Sequence, residues 1–261
     1  MTKNLAHIPL EFFLTAPAPC PYMPDRIERR IFTELDGYNS TVMSHSLNLS
    51  GFRRSQTISY RPVCDECNAC ISIRVDAEMF APTQSMKRVR KRNADIVRKE
   101  VSALATVEHF TLFREYVNTR HGNGGMEKMD FEDYSVMVGA GTTKSCLVEY
   151  RINKGDRAGE LVAVCLTDEM YDGLSLVYSF FAPLHRRRSL GHFVILDHLK
   201  DARARKLPFV YLGYWIKEST KMSYKARFQP CQGFIQDRWV PLNARTYIPQ
   251  EPAPKPWFSD T

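Results

Sequence analysis

Three cysteines recur at every third position in Cys64-Asp65-Glu66-Cys67-Asn68-Ala69-Cys70, and an alternating segment stands on either side of them. Ser55 to Tyr60 leads in and Ile71-Ser72-Ile73-Arg74-Val75 leads out. A period of two predicts strands, so the thiols lie on a tight loop at the end of a β ribbon. A Cys-x-x-Cys turn aims two sulfurs at one point, and a third at the same interval lets the loop grip a soft metal or an iron–sulfur cluster. Such a site wants a fourth thiol, and Cys20 is the only other cysteine in the first half of the chain. Cys20, Cys64, Cys67 and Cys70 are therefore candidate ligands of an iron–sulfur cluster or a zinc ion. The competing reading is a loop of reduced thiols. Cys146, Cys165 and Cys231 read as small core residues. An odd total of seven cysteines suits a reducing cytoplasm rather than a disulfide framework. No run of eighteen apolar residues predicts a membrane span, and the first residues lack the apolar stretch of a secretory signal.

The 261 residues carry a formal charge of +7, and its placement matters more than its size. Pro82 to Ser85 starts a helix, with Thr83 or Ser85 as N-cap. Lys87, Arg88, Arg90, Lys91, Arg92, Arg98 and Lys99 fall on one arc of it, and Met86, Val89, Ile96 and Val97 on the other. Only Asp95 and Glu100 dilute the cationic side, so the pattern predicts contact with a polyanion.

Further on, helical spacing covers His109 to His121 and Glu132 to Val138. Strands are predicted at Lys144–Ile152, Leu161–Leu166 and Leu174–Phe181, a long packed helix at Leu190–Lys206 and a strand at Phe209–Tyr214. A short helix from Ser219 to Arg227 and a strand from Ile235 to Val240 follow. This order is that of an α+β N-acetyltransferase-type (GNAT-like) domain with a mainly antiparallel sheet, preceded by a small cysteine-containing domain. The expected organisation is a cysteine-loop domain at 1–80, a basic connecting helix at 81–105, the GNAT-like domain at 106–250 and a loose tail at 251–261. Arg186-Arg187-Arg188-Ser189-Leu190-Gly191, at the start of the long helix, reads as a phosphate-bearing-ligand signal, since helix N-termini attract anions. Aromatic and basic residues interleave from Tyr211 through Lys217 to Lys221-Met222-Ser223-Tyr224-Lys225 and Arg227, which suits a single-stranded nucleotide end.

Cys20-Pro21-Tyr22-Met23, Tyr60-Arg61-Pro62, Arg90-Lys91-Arg92-Asn93, Gly213-Tyr214-Trp215-Ile216 and Lys221-Met222-Ser223-Tyr224-Lys225 resemble the aminoacyl-tRNA–protein transferases, most closely their bacterial, leucine-transferring branch. The likeness runs in order over nearly the whole chain. It implies a cytoplasmic enzyme of the N-degron pathway that moves an amino acid from charged tRNA to the α-amine of proteins beginning with Asp or Glu. Eukaryotic relatives carry Cys-x-x-Cys near the N-terminus and a later Cys-Cys pair, whereas this chain has Cys20 with Met23 and then three spaced thiols.

An aminoacyl ester is already activated, so the reaction the resemblance implies needs positioning, an oxyanion donor and a proton route. No cofactor is required for it. Tyr178 and Lys217 are the expected catalytic neighbourhood. Lys87, Arg88, Arg90, Lys91, Arg92, Arg186 and Arg187 are the expected tRNA contacts. Lys221, Lys225 and Arg227 are the expected cations for the acceptor carboxylate. Rival readings are an arginyl donor, an acetyl-CoA-dependent N-acetyltransferase, and a non-catalytic RNA-binding iron–sulfur protein.

Overall fold

A computed structural model describes residues 10–35, 40–120, 125–139 and 144–248. The N-terminal part contains β1 (Phe13–Leu14), β2 (Ala18–Pro19), β3 (Ile27–Glu28), β4 (Arg30–Glu34), α1 (Ser40–Leu49), β5 (Arg53–Ser55) and β6 (Ile58–Pro62). The rest contains β7 (Ile71–Asp76), α2 (Gln84–Arg92), β8 (Ile96–Ser102), α3 (Val107–Arg120), α4 (Phe131–Gly139), β9 (Ser145–Ile152), β10 (Leu161–Met170), β11 (Gly173–Phe181), α5 (Leu190–Ala204), β12 (Phe209–Trp215), β13 (Cys231–Ile235) and β14 (Arg238–Pro241). No helix among the described residues is long and apolar enough to cross a membrane.

Eight strands form the main sheet in the order β14-β13-β7-β12-β11-β10-β9-β8, and a four-stranded sheet, β1-β4-β6-β5, lies beside it. Every pairing in the main sheet is antiparallel except β11 with β12, which α5 connects. The α+β class and the GNAT-like order of strands are thus present. Alternation sets the layers. On β9, Leu147 joins the core under α3 and α4, while Val148 and Tyr150 join the core under α5.

Four expectations need correction. The basic helix stops at Arg92, because Asn93 turns back: its backbone N–H donates to the Arg90 and Lys91 carbonyls and its side-chain amide to Val89. Residues 96–102 then form the edge strand β8, so Arg98 and Lys99 leave the cationic arc. Arg98 instead binds Asp197 and Asp201 of α5. The β-branched Ile96 and Val97 suited a strand more than the helix their spacing permitted. The segment leaving the cysteine loop, β7, is not part of a closed N-terminal unit but lies between β12 and β13 in the main sheet. Residues 223–227 form only a 3₁₀ turn. The closing strand is a hairpin, β13–β14, turned at Gln236 and Asp237, both at positive φ (49° and 56°), as a two-residue hairpin turn requires. Helix α1 was not foreseen, for its sequence is too polar to carry an apolar period. The tail at 251–261 lies outside the described residues.

A buried ion pair fastens the smaller sheet to the larger one. Arg54 of β5 donates to both oxygens of Asp168 of β10, at 2.6 and 2.8 Å, and Ser145 donates to the same carboxylate at 2.6 Å. The two side chains are 3% and 2% exposed. Tyr214 of β12 reaches the carbonyl of Tyr60 at 2.9 Å, and Trp239 of β14 that of Leu49 at 2.8 Å. Removing one member of a buried pair leaves an uncompensated charge, whereas replacing both with apolar groups is often tolerated. Arg54→Met or Asp168→Leu alone should therefore cost about 3–5 kcal/mol, and the double replacement much less. Urea unfolding of the three variants checks this; additive single losses would contradict it.

Candidate active site

The parallel contact between β11 and β12 is short. Only Gly173–Ser175 pair with Phe209–Tyr211, and the strands have no further register with each other although β11 runs to Phe181 and β12 to Trp215. A gap therefore opens between them at their C-terminal ends, where crossover α/β units place their ligands. A bulge in β12 between Tyr211 and Gly213 accompanies the opening. Gly213 has φ +74°, a conformation that favours glycine, and the amino group of Lys225 lies 3.7 Å from where its Cβ would be.

Lys225 comes from the 3₁₀ turn after β12 and donates from Nζ to the Tyr214 carbonyl at 2.9 Å. Burial lowers the pKa of this amine to about 8, with a further push from the Arg53 guanidinium. No carboxylate forms an ion pair with Lys225 among the described residues.

Tyr178 is on the other wall. Its hydroxyl is buried and has no hydrogen-bond partner. Burial raises its pKa, as do the neighbouring Tyr116 and Tyr22 phenols, so the hydroxyl stays protonated near neutral pH. At the end of β11, Phe181 stacks edge-on with Tyr116 of α3 at 4.9 Å, and Arg120 lies over both rings. The first turn of α5 closes the gap. A Cβ on Gly191 would come within 3.0 Å of Phe181, and His192 stacks against Tyr224 at 5.0 Å. Burial lowers the pKa of His192, and Arg227 and Arg120 lower it further. The charged neighbours that shift Tyr178, His192, Tyr224 and Lys225 are Arg53, Arg120 and Arg227; the rest are phenols and one thiol. None is a carboxylate.

The expected site residues are only partly gathered here. Lys225 lies at the bulge of β12, Tyr178 is on β11 with its hydroxyl buried, and Arg227 is exposed near His192. Lys217 does not join Tyr178: its side chain is exposed and donates to the Tyr247 carbonyl at 2.6 Å. Lys221 is exposed. Lys87, Arg88, Arg90, Lys91, Arg92, Arg186 and Arg187 lie at the surface, and none pairs with a carboxylate among the described residues. They form one surface, because Arg92 donates to the Arg187 carbonyl at 2.6 Å and Asn93 to that of Arg188 at 2.9 Å. Arg188 itself is spent on Asp95, at 2.7 and 2.9 Å. Tyr116, Phe181 and Arg120 were missed, since nothing in the spacing of α3 marks its last turn as facing a cleft.

Cys20, Cys64, Cys67 and Cys70 all line one cavity of about 20 Å³, with Tyr22, Tyr60 and Tyr214. This is room for about one water-sized guest. Burial raises the thiol pKa of Cys64, and that of Cys70 to about 12, so any metal would have to displace bound protons. Among the described residues no three His, Cys, Asp or Glu side chains converge closely enough to hold a metal ion. The four thiols are free cysteines gathered around that one cavity.

Two family profiles match the chain. "Arginine-tRNA-protein transferase, N terminus" covers residues 18–88 and "Arginine-tRNA-protein transferase, C terminus" covers residues 108–235. The first holds the four thiols and the second holds both walls of the gap. An aspartate/glutamate leucyltransferase of Bradyrhizobium sp. (strain ORS 278) is 47% identical over 98% of this chain and 99% of its own. One of Phenylobacterium zucineum (strain HLK1) is 46% identical over 97% and 99%. The crystal structure of FemX is similar over 55% of this chain and 52% of its own, at 7% identity and a TM-score of 0.43.

Lys225 gives the cleft a measurable pH signature. Its pKa is about 8 in the folded chain against an ordinary 10.5. Between those values the unfolded chain binds more protons here, so folding stability rises with pH across that window. Lys225→Met should remove this rise. Denaturation of both proteins across the window checks it; parallel stability curves would contradict the enclosed amine.

Proposed function

The chain belongs to the arginine-tRNA-protein transferase family, and on that premise we propose that it transfers leucine from leucyl-tRNA to the N-terminal α-amine of proteins that begin with Asp or Glu. The observation that carries this reading is the near full-length likeness to aspartate/glutamate leucyltransferases, 47% identity over 98% of this chain, and with it goes the lack of a carboxylate ion-paired with Lys225, Arg227 or Arg120 among the described residues. An arginyl donor would bring a further guanidinium beside Lys225, Arg120 and Arg227, none of which is ion-paired with a carboxylate among the described residues. A leucyl side chain asks for no charge. An acceptor whose first residue is Asp or Glu brings the missing anion, and Lys225 and Arg227 are the cations that would take it, as charge-assisted hydrogen bonds favour.

The chemistry then follows from positioning. The acceptor α-amine has a reference pKa of about 8, so a useful fraction is neutral near neutral pH. It attacks the ester carbonyl, the new C–N bond forms, and the bond to the 3′ oxygen breaks. The amine loses a proton and the departing oxygen gains one. Tyr178 is suited to donate to the oxygen on which charge develops, because burial keeps its hydroxyl protonated and nothing else occupies it. No cofactor enters this scheme. The exposed cations of α2 and of the turn before α5 supply a surface for the phosphates of the charged tRNA, adjoining the first turn of α5. Such work belongs in the cytoplasm, where charged tRNA is.

Labelled leucyl- and arginyl-tRNA, each offered to peptides beginning with Asp, Glu, Arg or Lys, test the reading. Leucine should appear on the Asp and Glu peptides alone; label from arginyl-tRNA, or on the Arg or Lys peptides alone, would overturn it. In a parallel binding measurement, replacing Lys87, Arg88, Arg90 and Lys91 by Ala should weaken tRNA affinity. It should also flatten the logarithmic salt dependence by up to about 0.9 for each phosphate left without its cation. Unchanged binding would remove α2 from the interface.

A further inference from the structure

Phe181 and Arg120 are not needed to hold an acceptor carboxylate or to protonate a leaving oxygen, yet they occupy the mouth of the gap. Phe181 is three residues beyond Tyr178 on β11, about 10 Å along an extended strand. Arg186 and Arg187, part of the exposed basic surface, follow a few residues later on the same chain. The strand end thus presents a partly exposed aromatic ring and, shortly after it, exposed cations that no carboxylate pairs with among the described residues. Arg120 is exposed at the end of α3, with its guanidinium 5.4 Å from the centre of the Phe181 ring and 6.0 Å from that of Tyr116. No carboxylate is paired with it among the described residues. A guanidinium laid on aromatic rings offers a flat cationic face, which is what an unstacked base binds.

We propose that Arg120 and Phe181 form the platform on which the terminal base of the charged tRNA stacks, at the mouth of the gap between β11 and β12. This rests on the tRNA-dependent reading above and adds the subsite for the last nucleotide. Arg120 is then a positioning residue for the donor and not a contact of the acceptor. Because every base has a π face, the platform holds a terminal pyrimidine nearly as well as a purine.

The test is direct binding, measured without turnover, of three stable donor mimics: 3′-leucylamido-adenosine, 3′-leucylamido-cytidine, and the same leucylamido-ribose lacking a base. Wild-type protein should bind both base-bearing mimics about tenfold or more tighter than the baseless one. In Arg120→Ala and in Phe181→Leu that advantage should shrink severalfold, while binding of the baseless mimic and of an Asp-starting peptide stays unchanged. An advantage that persists in both variants would overturn the platform, as would a loss of peptide binding in Arg120→Ala with the base advantage intact. Failure of the wild type to transfer leucine at all would instead strike the parent reading, and the transfer assay reports that separately.

Discussion

The early end of the pairing between β11 and β12 is the constraint on which the rest of the site depends. Two parallel strands that stayed paired along their length would bury their edges against each other and leave no opening. Here the mutual pairing ends after three residues, at Ser175 and Tyr211, and beyond it β11 pairs only with β10 and β12 only with β7. Unmade backbone hydrogen bonds are costly when buried, so an opened edge must be satisfied by something else. Lys225 does part of this by donating to the Tyr214 carbonyl. On the neighbouring strand the buried hydroxyl of Tyr178 is left without a hydrogen-bond partner. The two strands that part here thus carry an unpartnered donor on one and an enclosed cation against the other.

The N-terminal sheet is what holds this opening in a fixed frame. It docks through a buried ion pair, Arg54 with Asp168, and through Tyr214 reaching the Tyr60 carbonyl. Tyr214 belongs to one wall of the gap, so the smaller sheet braces the strand that Lys225 caps. Tyr22, from the same N-terminal part, is near enough to help raise the pKa of Tyr178. The cysteine loop lies at this junction, with all four thiols lining the cavity that Tyr22, Tyr60 and Tyr214 share.

Much of the fold was legible because periodicity is a local property. The alternation of Ser145–Ile152 and of Ile71–Asp76, and the long apolar helix after Ser189, stand where their patterns placed them. Failures came where local pattern allowed two answers. Ile96 and Val97 fit the apolar side of a continued helix as well as a strand, and only Asn93 marks the stop. The site was legible where chemistry and charge clustered in sequence, as at Lys225 and in the basic surface. It was not legible where distant segments meet. Lys217 looked as suitable as Lys225, yet one faces the Tyr247 carbonyl and the other the bulge at Gly213. Arg120 carries no signal until folding lays it across Phe181.

On the proposed reading charge selects both substrates: cations without a carboxylate partner among the described residues favour an uncharged donor side chain and an anionic acceptor. The most direct measurement compares the affinities of peptides that differ only in beginning with Asp or Asn, for wild-type protein and for Lys225→Met. The pair of peptides is nearly isosteric, so the difference reports the carboxylate charge alone. In the wild type the Asp peptide should bind at least about tenfold tighter, and Lys225→Met should erase most of that preference, as expected when one member of a desolvated charge pair is removed. An equal preference for Asp in both proteins would contradict the assignment of Lys225, and no preference in the wild type would contradict the charge-based choice of acceptor altogether.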